Sequence, residues 1–227
     1  MNMKKVLVYV MLGVSFTLVG CGAKKQAPTE QNQQQKVQKQ QESSKLGYEV
    51  VSELLEIKDK HIKINYPQVK DYVGEILMDY MNQSLKKIVD QYNSDSYDDV
   101  NIDYEITKSN NEILSILYKG TGKIKDFGEI KIKDSMNLDM KSSNEINYES
   151  FIKNNDEVRK ILDKKAKEQG IKEGLEAEGI RIYFKGDDVV FYYMPLDDDA
   201  KEFIEISIPS KELEGYVNTD FGEKPAS

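Results

Sequence analysis

The sequence holds one cysteine and one histidine, and only two arginines (Arg159 and Arg181), among 227 residues. A lone cysteine, Cys21, excludes an intramolecular disulfide. A lone histidine, His61, excludes the Cys/His clusters of the usual zinc sites, and no metal or other cofactor is expected. A Ser-His-Asp triad would have to use His61, yet its phase in an alternating stretch places it on the polar side of a strand, as a surface histidine. Scarce arginine leaves few bidentate forks for phosphate or carboxylate. With 40 acidic against 32 basic residues, the chain lacks the clustered positive charge that drives nucleic-acid binding, so no nucleic-acid partner is expected. The longest apolar run, from Val6 to Val19, has fourteen residues, short of the ~20 that span a bilayer.

That run follows Lys4-Lys5 and ends in Leu18-Val19-Gly20-Cys21. A short basic region, an apolar core of 7–15 residues and small residues before a cleavage point are the parts of a secretory signal. With Leu-x-Gly before cysteine, the pattern resembles a bacterial lipoprotein signal. In that resemblance Leu18, Val19 and Gly20 are read by the signal peptidase. Cys21 becomes the first residue of the mature chain and carries a diacylglyceryl thioether, with palmitate-type chains as membrane anchor. The alternatives are an ordinary signal peptide with a stray cysteine, or a short transmembrane anchor. Two acyl chains hold a protein stably where one does so only reversibly. The expected location is therefore extracytoplasmic, at the cell membrane. Removing Lys4 and Lys5 leaves 30 basic against 40 acidic residues, a net charge of −10, which favours encounter with cationic partners.

Residues 1–20 are thus read as signal and 21–45 as lipidated cysteine plus tether. From Gly22 to Lys45 the chain is rich in Gln and nearly devoid of residues to bury. Such a segment does not offset its ordering entropy and is expected to be disordered. As a flexible coil its span is roughly 25–30 Å. A polar coiled-coil arm is the alternative, but no apolar heptad supports it.

Residues 46–217 are expected to form the folded domain, with 218–227 as a tail. Tyr48 to Ile57 suits a strand, with some helical ambiguity from Val51, Leu54 and Leu55. Ile62, Ile64 and Tyr66 alternate with polar residues, the signature of a half-buried strand. Pro67 is expected to end it and open a helix. Between Pro67 and Tyr92, Val69, Tyr72, Val73, Ile76, Leu77, Tyr80, Ser84, Ile88, Val89 and Tyr92 fall on one stripe. The spacing predicts a long amphipathic helix across a sheet, its tyrosines packed in the core rather than forming a ligand platform. Strands are expected at Val100–Thr107, Ile113–Tyr118 and Ile130–Met140, with Gly120, Gly122 and Gly128 in a connecting loop. Gly120-Thr121-Gly122-Lys123 lacks the full pattern of a phosphate-binding loop and is read as a hairpin connection. Tyr148 to Gln169 is a second helical region broken near Asn154-Asn155. Strands at 180–184, 189–193 and 204–208 close the chain. The order gives an α+β domain, its sheet mainly antiparallel, with one long amphipathic helix and a second shorter one.

Several strings resemble a known family in the same order. They are Ile64-Asn65-Tyr66-Pro67-Gln68-Val69, Ile113-Leu114-Ser115-Ile116-Leu117-Tyr118-Lys119-Gly120, Phe151-Ile152, Ile182-Tyr183-Phe184, Val189-Val190-Phe191-Tyr192-Tyr193 and Ile204-Glu205-Ile206-Ser207-Ile208-Pro209. The family is the domain of unknown function found in ectodomains of lysozyme-sensing anti-sigma factors, beside peptidoglycan deacetylase domains and in stand-alone lipoproteins. The resemblance covers roughly 50–213 and implies a binding module at the cell envelope, with lysozyme or wall glycan as partner. Two segments depart from the family. Residues 121–128 carry no histidine where many members have a Gly-Ala-His segment. Leu196-Asp197-Asp198-Asp199-Ala200-Lys201 stands where members have a Tyr/Ala/Gly-rich loop.

No catalytic residue stands out. Carboxylate pairs run glycoside hydrolysis, but 40 acidic residues supply pairs by chance and no motif singles one out. Asp197, Asp198 and Asp199 form the one candidate ligand loop, for calcium or a basic partner. The plainer alternative is a solvated loop end, since EF-hand spacing and its turn glycine are missing. The expected function is non-catalytic binding of a cationic wall-active protein such as lysozyme, with peptidoglycan second. A carboxylate-dependent wall hydrolase and a scaffold for another envelope protein are the rivals.

Overall fold

The computed structural model describes residues 46–171, 179–196, 200 and 202–222. The signal, Cys21 and the tether lie outside them, as do Asp197, Asp198 and Asp199. Among the described residues there are eight strands and three α-helices. They are β1 (Glu49–Ile57), β2 (Ile62–Lys70), α1 (Glu75–Asp90), β3 (Tyr97–Ser109), β4 (Ile113–Ile124), β5 (Gly128–Asp139), α2 (Tyr148–Phe151), α3 (Asn155–Glu168), β6 (Arg181–Lys185), β7 (Asp188–Tyr193) and β8 (Ile204–Pro209).

The strands form two sheets where the sequence pattern suggested one. The larger has the order β1-β2-β3-β4-β5, the smaller β6-β7-β8. All neighbours are antiparallel except β2 and β3, which meet in parallel only at Lys63–Asn101 and Ile64–Ile102. The α+β, mainly antiparallel class therefore stands. Met81, Leu85 and Val89 of α1 pack against Ile64, Ile102, Leu114, Ile116 and Tyr118 of the larger sheet. Val158, Leu162 and Ala166 of α3 pack against Ile182, Phe184, Phe191, Ile206 and Ile208 of the smaller. The remaining faces meet each other, Leu117 lying against Tyr183, Val190 and Tyr192. The layers run helix, sheet, sheet, helix. This is why β4 and β7 read as continuous apolar runs rather than alternating ones: both their faces are covered.

Pro67 corrects the expected helix. It lies inside β2, opposite Ser52 of β1, and the strand runs on to Lys70. The residue is tolerated because β3 has already left β2 at Ile64, so the missing N–H falls on a side without a paired strand. In place of that strand the Asn82 side chain accepts from Val69 N at 2.7 Å and donates to Val69 O at 2.9 Å. The helix starts at Glu75, after Gly74. Its length shifts the stripe as well. Val73, Ile76 and Tyr80 are exposed, while Met81 and Leu85 are buried. The second helical region is two helices separated by residues 152–154, next to the break expected near Asn154-Asn155.

Gly120 and Gly122 also differ from expectation, since both lie within β4. A Cβ on Gly120 would stand 2.1 Å from the Asn101 backbone oxygen, so glycine here permits close approach of β3. The connecting turn is 125–127, with Asp126 and Gly128 at positive φ.

The inter-sheet layer has a polar seam. Ser115 Oγ donates to Asn137 Oδ1 at 2.7 Å and accepts from Phe184 N at 3.0 Å. Asn137 Nδ2 donates to Ile182 O at 2.9 Å and to Ile146 O at 3.0 Å, and Ser135 Oγ donates to Ile182 O at 2.7 Å. Strand β6 is an edge of its sheet, and these side chains satisfy the backbone groups that an edge leaves unpaired. Residues after 217 still pack: Asn218 N donates to Phe151 O at 2.8 Å, and Phe221 stacks on Phe151.

Candidate ligand-binding groove

Strand β5 closes the larger sheet, so one of its sides faces no strand of that sheet. In an antiparallel strand, successive residues point their N–H and C=O to opposite sides. Asp139 N donates to Asn144 O, and Ile146 N donates to Asn137 O, so residues 137 and 139 point outward. The β4–β5 register runs without a shift from Ile113–Asp139 to Ile124–Gly128. Ser135, Lys133, Lys131 and Glu129 therefore point outward too. Ser135 N donates to Asp134 Oδ1 at 3.0 Å, and Lys133 O accepts from Arg181 Nη1 at 3.4 Å. Arg181 and Asp134 pair at 3.0 Å, and Gln91 Nε2 also donates to Asp134 at 2.8 Å. Beyond that pair, among the described residues, no strand covers the outer edge at 129–131.

A groove of about 1210 Å³ straddles this open stretch. On the α1 side its wall is apolar, made by Ile130, Ile132, Tyr97 and Tyr92. The last two meet edge to face at 5.2 Å. Burial pushes the Tyr92 hydroxyl well above the usual tyrosine range, and the Asp134 carboxylate adds to the effect, so it is a neutral wall group. On the other side stand Lys131, Lys133, Tyr192, Phe203 and Leu196. Lys133 Nζ lies 5.3 Å from the Tyr192 ring centroid and 5.8 Å from that of Phe203, and it pairs with Glu205. Lys131, half exposed, pairs with the exposed Glu202.

Asp99, Asp134, Glu202 and Glu205 around the groove are each ion-paired. Asp99 pairs with Lys123 at 2.6 Å and with His61 Nδ1 at 3.2 Å. The hydrogen bond and charge of Lys123 hold its carboxyl below the usual range. Burial by itself would raise Glu205, but Lys133 and the Tyr183 hydroxyl, donating at 3.0 Å, hold it low. A general acid for glycoside cleavage needs a raised pKa, and these two are shifted the other way. His61 does not sit in a strand. It ends the short 3₁₀ turn 58–60 in left-handed conformation (φ 51°), three-quarters exposed. Among the described residues no three His, Cys, Asp or Glu side chains gather to hold a metal. No helix there is long and apolar enough to cross a membrane.

Nothing in the sequence marks the groove residues as a site; Thr121, Gly122 and Lys123 of its lining read there as a hairpin connection. The groove's local trace is the alternation of Glu129, Lys131 and Lys133 with Ile130 and Ile132. That pattern gives a strand with two unlike faces but not its place at a sheet edge.

Two layers of helix outside two apposed sheets define an α+β domain class that solved structures also show. One such protein is a DUF3298 family member from Bacteroides fragilis, 13% identical, covering 76% of this chain and 92% of its own, with a TM-score of 0.50. Another is a DUF3298 family protein from Pseudomonas aeruginosa, 10% identical, covering 80% and 99%, also at 0.50. Neither a family profile nor a curated protein sequence matches the chain. The chain thus has the fold of DUF3298 proteins, the domain of unknown function that its strand strings resemble.

Proposed function

We propose that this is a lipid-anchored protein of the bacterial envelope whose α+β domain binds a ligand in the β5 groove and does no chemistry. The observation that carries it is the groove itself: an open strand edge between an apolar wall and a wall of lysines and aromatics. Asp99, Asp134, Glu202 and Glu205 are ion-paired, and the carboxyls of Asp99 and Glu205 are held low, which supports recognition over hydrolysis. A cationic wall-active protein such as lysozyme is the first ligand, supported by the net charge of −8, or −10 once Lys4 and Lys5 are removed with the signal, that would speed its encounter. Wall glycan is second, supported by the Tyr97 and Phe203 rings and by Lys123, Lys131 and Arg181 among the lining. Anchoring at Cys21 rests on the Leu18-Val19-Gly20-Cys21 pattern.

Two measurements test this. Cells fed labelled palmitate should label the wild type and not Cys21→Ala; equal labelling would remove the anchor. Calorimetric titration of the full chain with lysozyme and with soluble wall glycan should show binding to one of them. Release of fragments from labelled peptidoglycan would instead establish an enzyme.

A further inference from the structure

The outer edge of β5 is treated differently along its length. At 137–139 the chain closes it with its own returning segment, through Ile146 N to Asn137 O at 2.7 Å and Asp139 N to Asn144 O at 2.9 Å, with an antiparallel bridge at Leu138–Glu145. At 133–135 the Arg181–Asp134 pair takes up Lys133 O and Ser135 N. At 129–131, N–H and C=O groups point into the groove.

From this we infer that the groove is a strand-addition site: an extended peptide segment of a protein partner pairs with β5 at Glu129–Lys133, continuing the edge that residues 144–146 close further along. The inference rests on the groove being the ligand site, and adds the partner's class and its mode of binding. Three features fit it. An added strand sends alternate side chains to opposite faces, and the groove offers a wall on each face of the edge. The α1-side wall of Tyr92, Tyr97 and Ile130 suits apolar side chains. The opposite wall presents Lys131, whose partner Glu202 is exposed and exchangeable, so polar or acidic side chains fit there. The side chains of 129, 131 and 133 project onto that wall rather than across the edge. They therefore do not screen it as edge lysines usually do. Arg181 acts as a stop, fixing where the added strand ends.

The test is selection of a displayed random decapeptide library on the full chain, with Lys131→Pro and Lys131→Ala in parallel. Proline removes an outward N–H at a position where a sheet edge tolerates it, whereas alanine removes only the side chain. Selected peptides should alternate apolar and polar residues. They should weaken about tenfold or more on Lys131→Pro and much less on Lys131→Ala, one to two backbone hydrogen bonds being at stake. A selected peptide should also slow amide exchange at Glu129 and Lys131, and weaken similarly when N-methylated at alternate positions. Circular dichroism on both variants checks folding, and the N-methyl series gives the answer independently if Lys131→Pro is misfolded. No enrichment, or binding indifferent to N-methylation, overturns strand addition. Lysozyme or soluble wall glycan binding undiminished on Lys131→Pro would overturn it too, while leaving the groove's ligand-binding role intact. Absence of binding by peptides, lysozyme and glycan alike would remove that role as well.

Discussion

The helix-facing sides of the two sheets and the seam between the sheets are built from different material. On the outer sides, Met81, Leu85, Ile116 and Tyr118, or Val158, Leu162, Phe191 and Ile206, make dry cores. Between the sheets, among the described residues, Leu117, Tyr183, Val190 and Tyr192 form a small apolar cluster, with Phe203 at its side. Beside them run Ser115, Ser135 and Asn137. Apolar packing fixes a strand's register by which faces it buries, with little help from directional bonds beyond that of the Tyr118 hydroxyl to Leu85 O. Hydrogen bonds from Asn137 and Ser115 to single backbone groups of β6 fix it by direction as well. The helix-facing cores thus supply most of the stability, and the seam fixes how one sheet sits upon the other.

The largest way to break that contrast is in a dry core. Phe191 is fully buried among residues of α2, α3 and the smaller sheet. Phe191→Ala should cost ~3–5 kcal/mol, transfer and cavity terms together, measured by urea unfolding. A cost near 1 kcal/mol would mean that this core collapses around the gap and is less rigid than its burial implies.

The seam should respond less in stability and more in order. Asn137→Ala removes the donor to Ile146 O and Ile182 O and the acceptor of Ser115. Ile182 O keeps Ser135, so about 1–3 kcal/mol is expected, mainly from the group left unsatisfied. Amide exchange at Phe184 and along β6 should accelerate, while α1 stays protected. If α1 were to lose protection equally, the two sheets would be one cooperative core and the distinction would fail.

The contrast also explains what the sequence reveals. Alternation identifies strands because each face has its own environment. Residues 62–66, 100–107 and 204–208 accordingly lie in β2, β3 and β8. Alternation says nothing about which sheet a strand joins, so two sheets looked like one. Pro67 misled because a proline suits both a helix start and a one-sided strand, and only the early departure of β3 decides between them. The apolar stripe drawn from Val69 and Tyr72 belonged partly to β2. Phasing on Met81, Leu85 and Val89, four residues apart, gives the buried face instead. The groove was illegible for a related reason. Edge position is a property of the assembled sheet, and residues as distant as Tyr97, Lys131 and Phe203 meet only there.

The smallest effect sharpens the boundary between seam and groove. Lys133 is mostly buried against Tyr192 and Phe203 and pairs with Glu205, whose own side chain is 40% exposed. Because the folded carboxyl lies below its ordinary value of 4.5, the pair's contribution is present above that value. It is lost as pH falls through the lowered one. In urea unfolding from about pH 6 to about pH 3 the wild type should lose stability that Glu205→Gln does not, by less than ~1 kcal/mol since solvent screens the pair. Protonation leaves the Lys133 ammonium facing two rings with no carboxylate, so the same step should loosen the wall beside Lys131 before it unfolds anything. Identical pH profiles for wild type and Glu205→Gln would show that the rings alone hold Lys133, and would assign that wall to the dry part of the molecule.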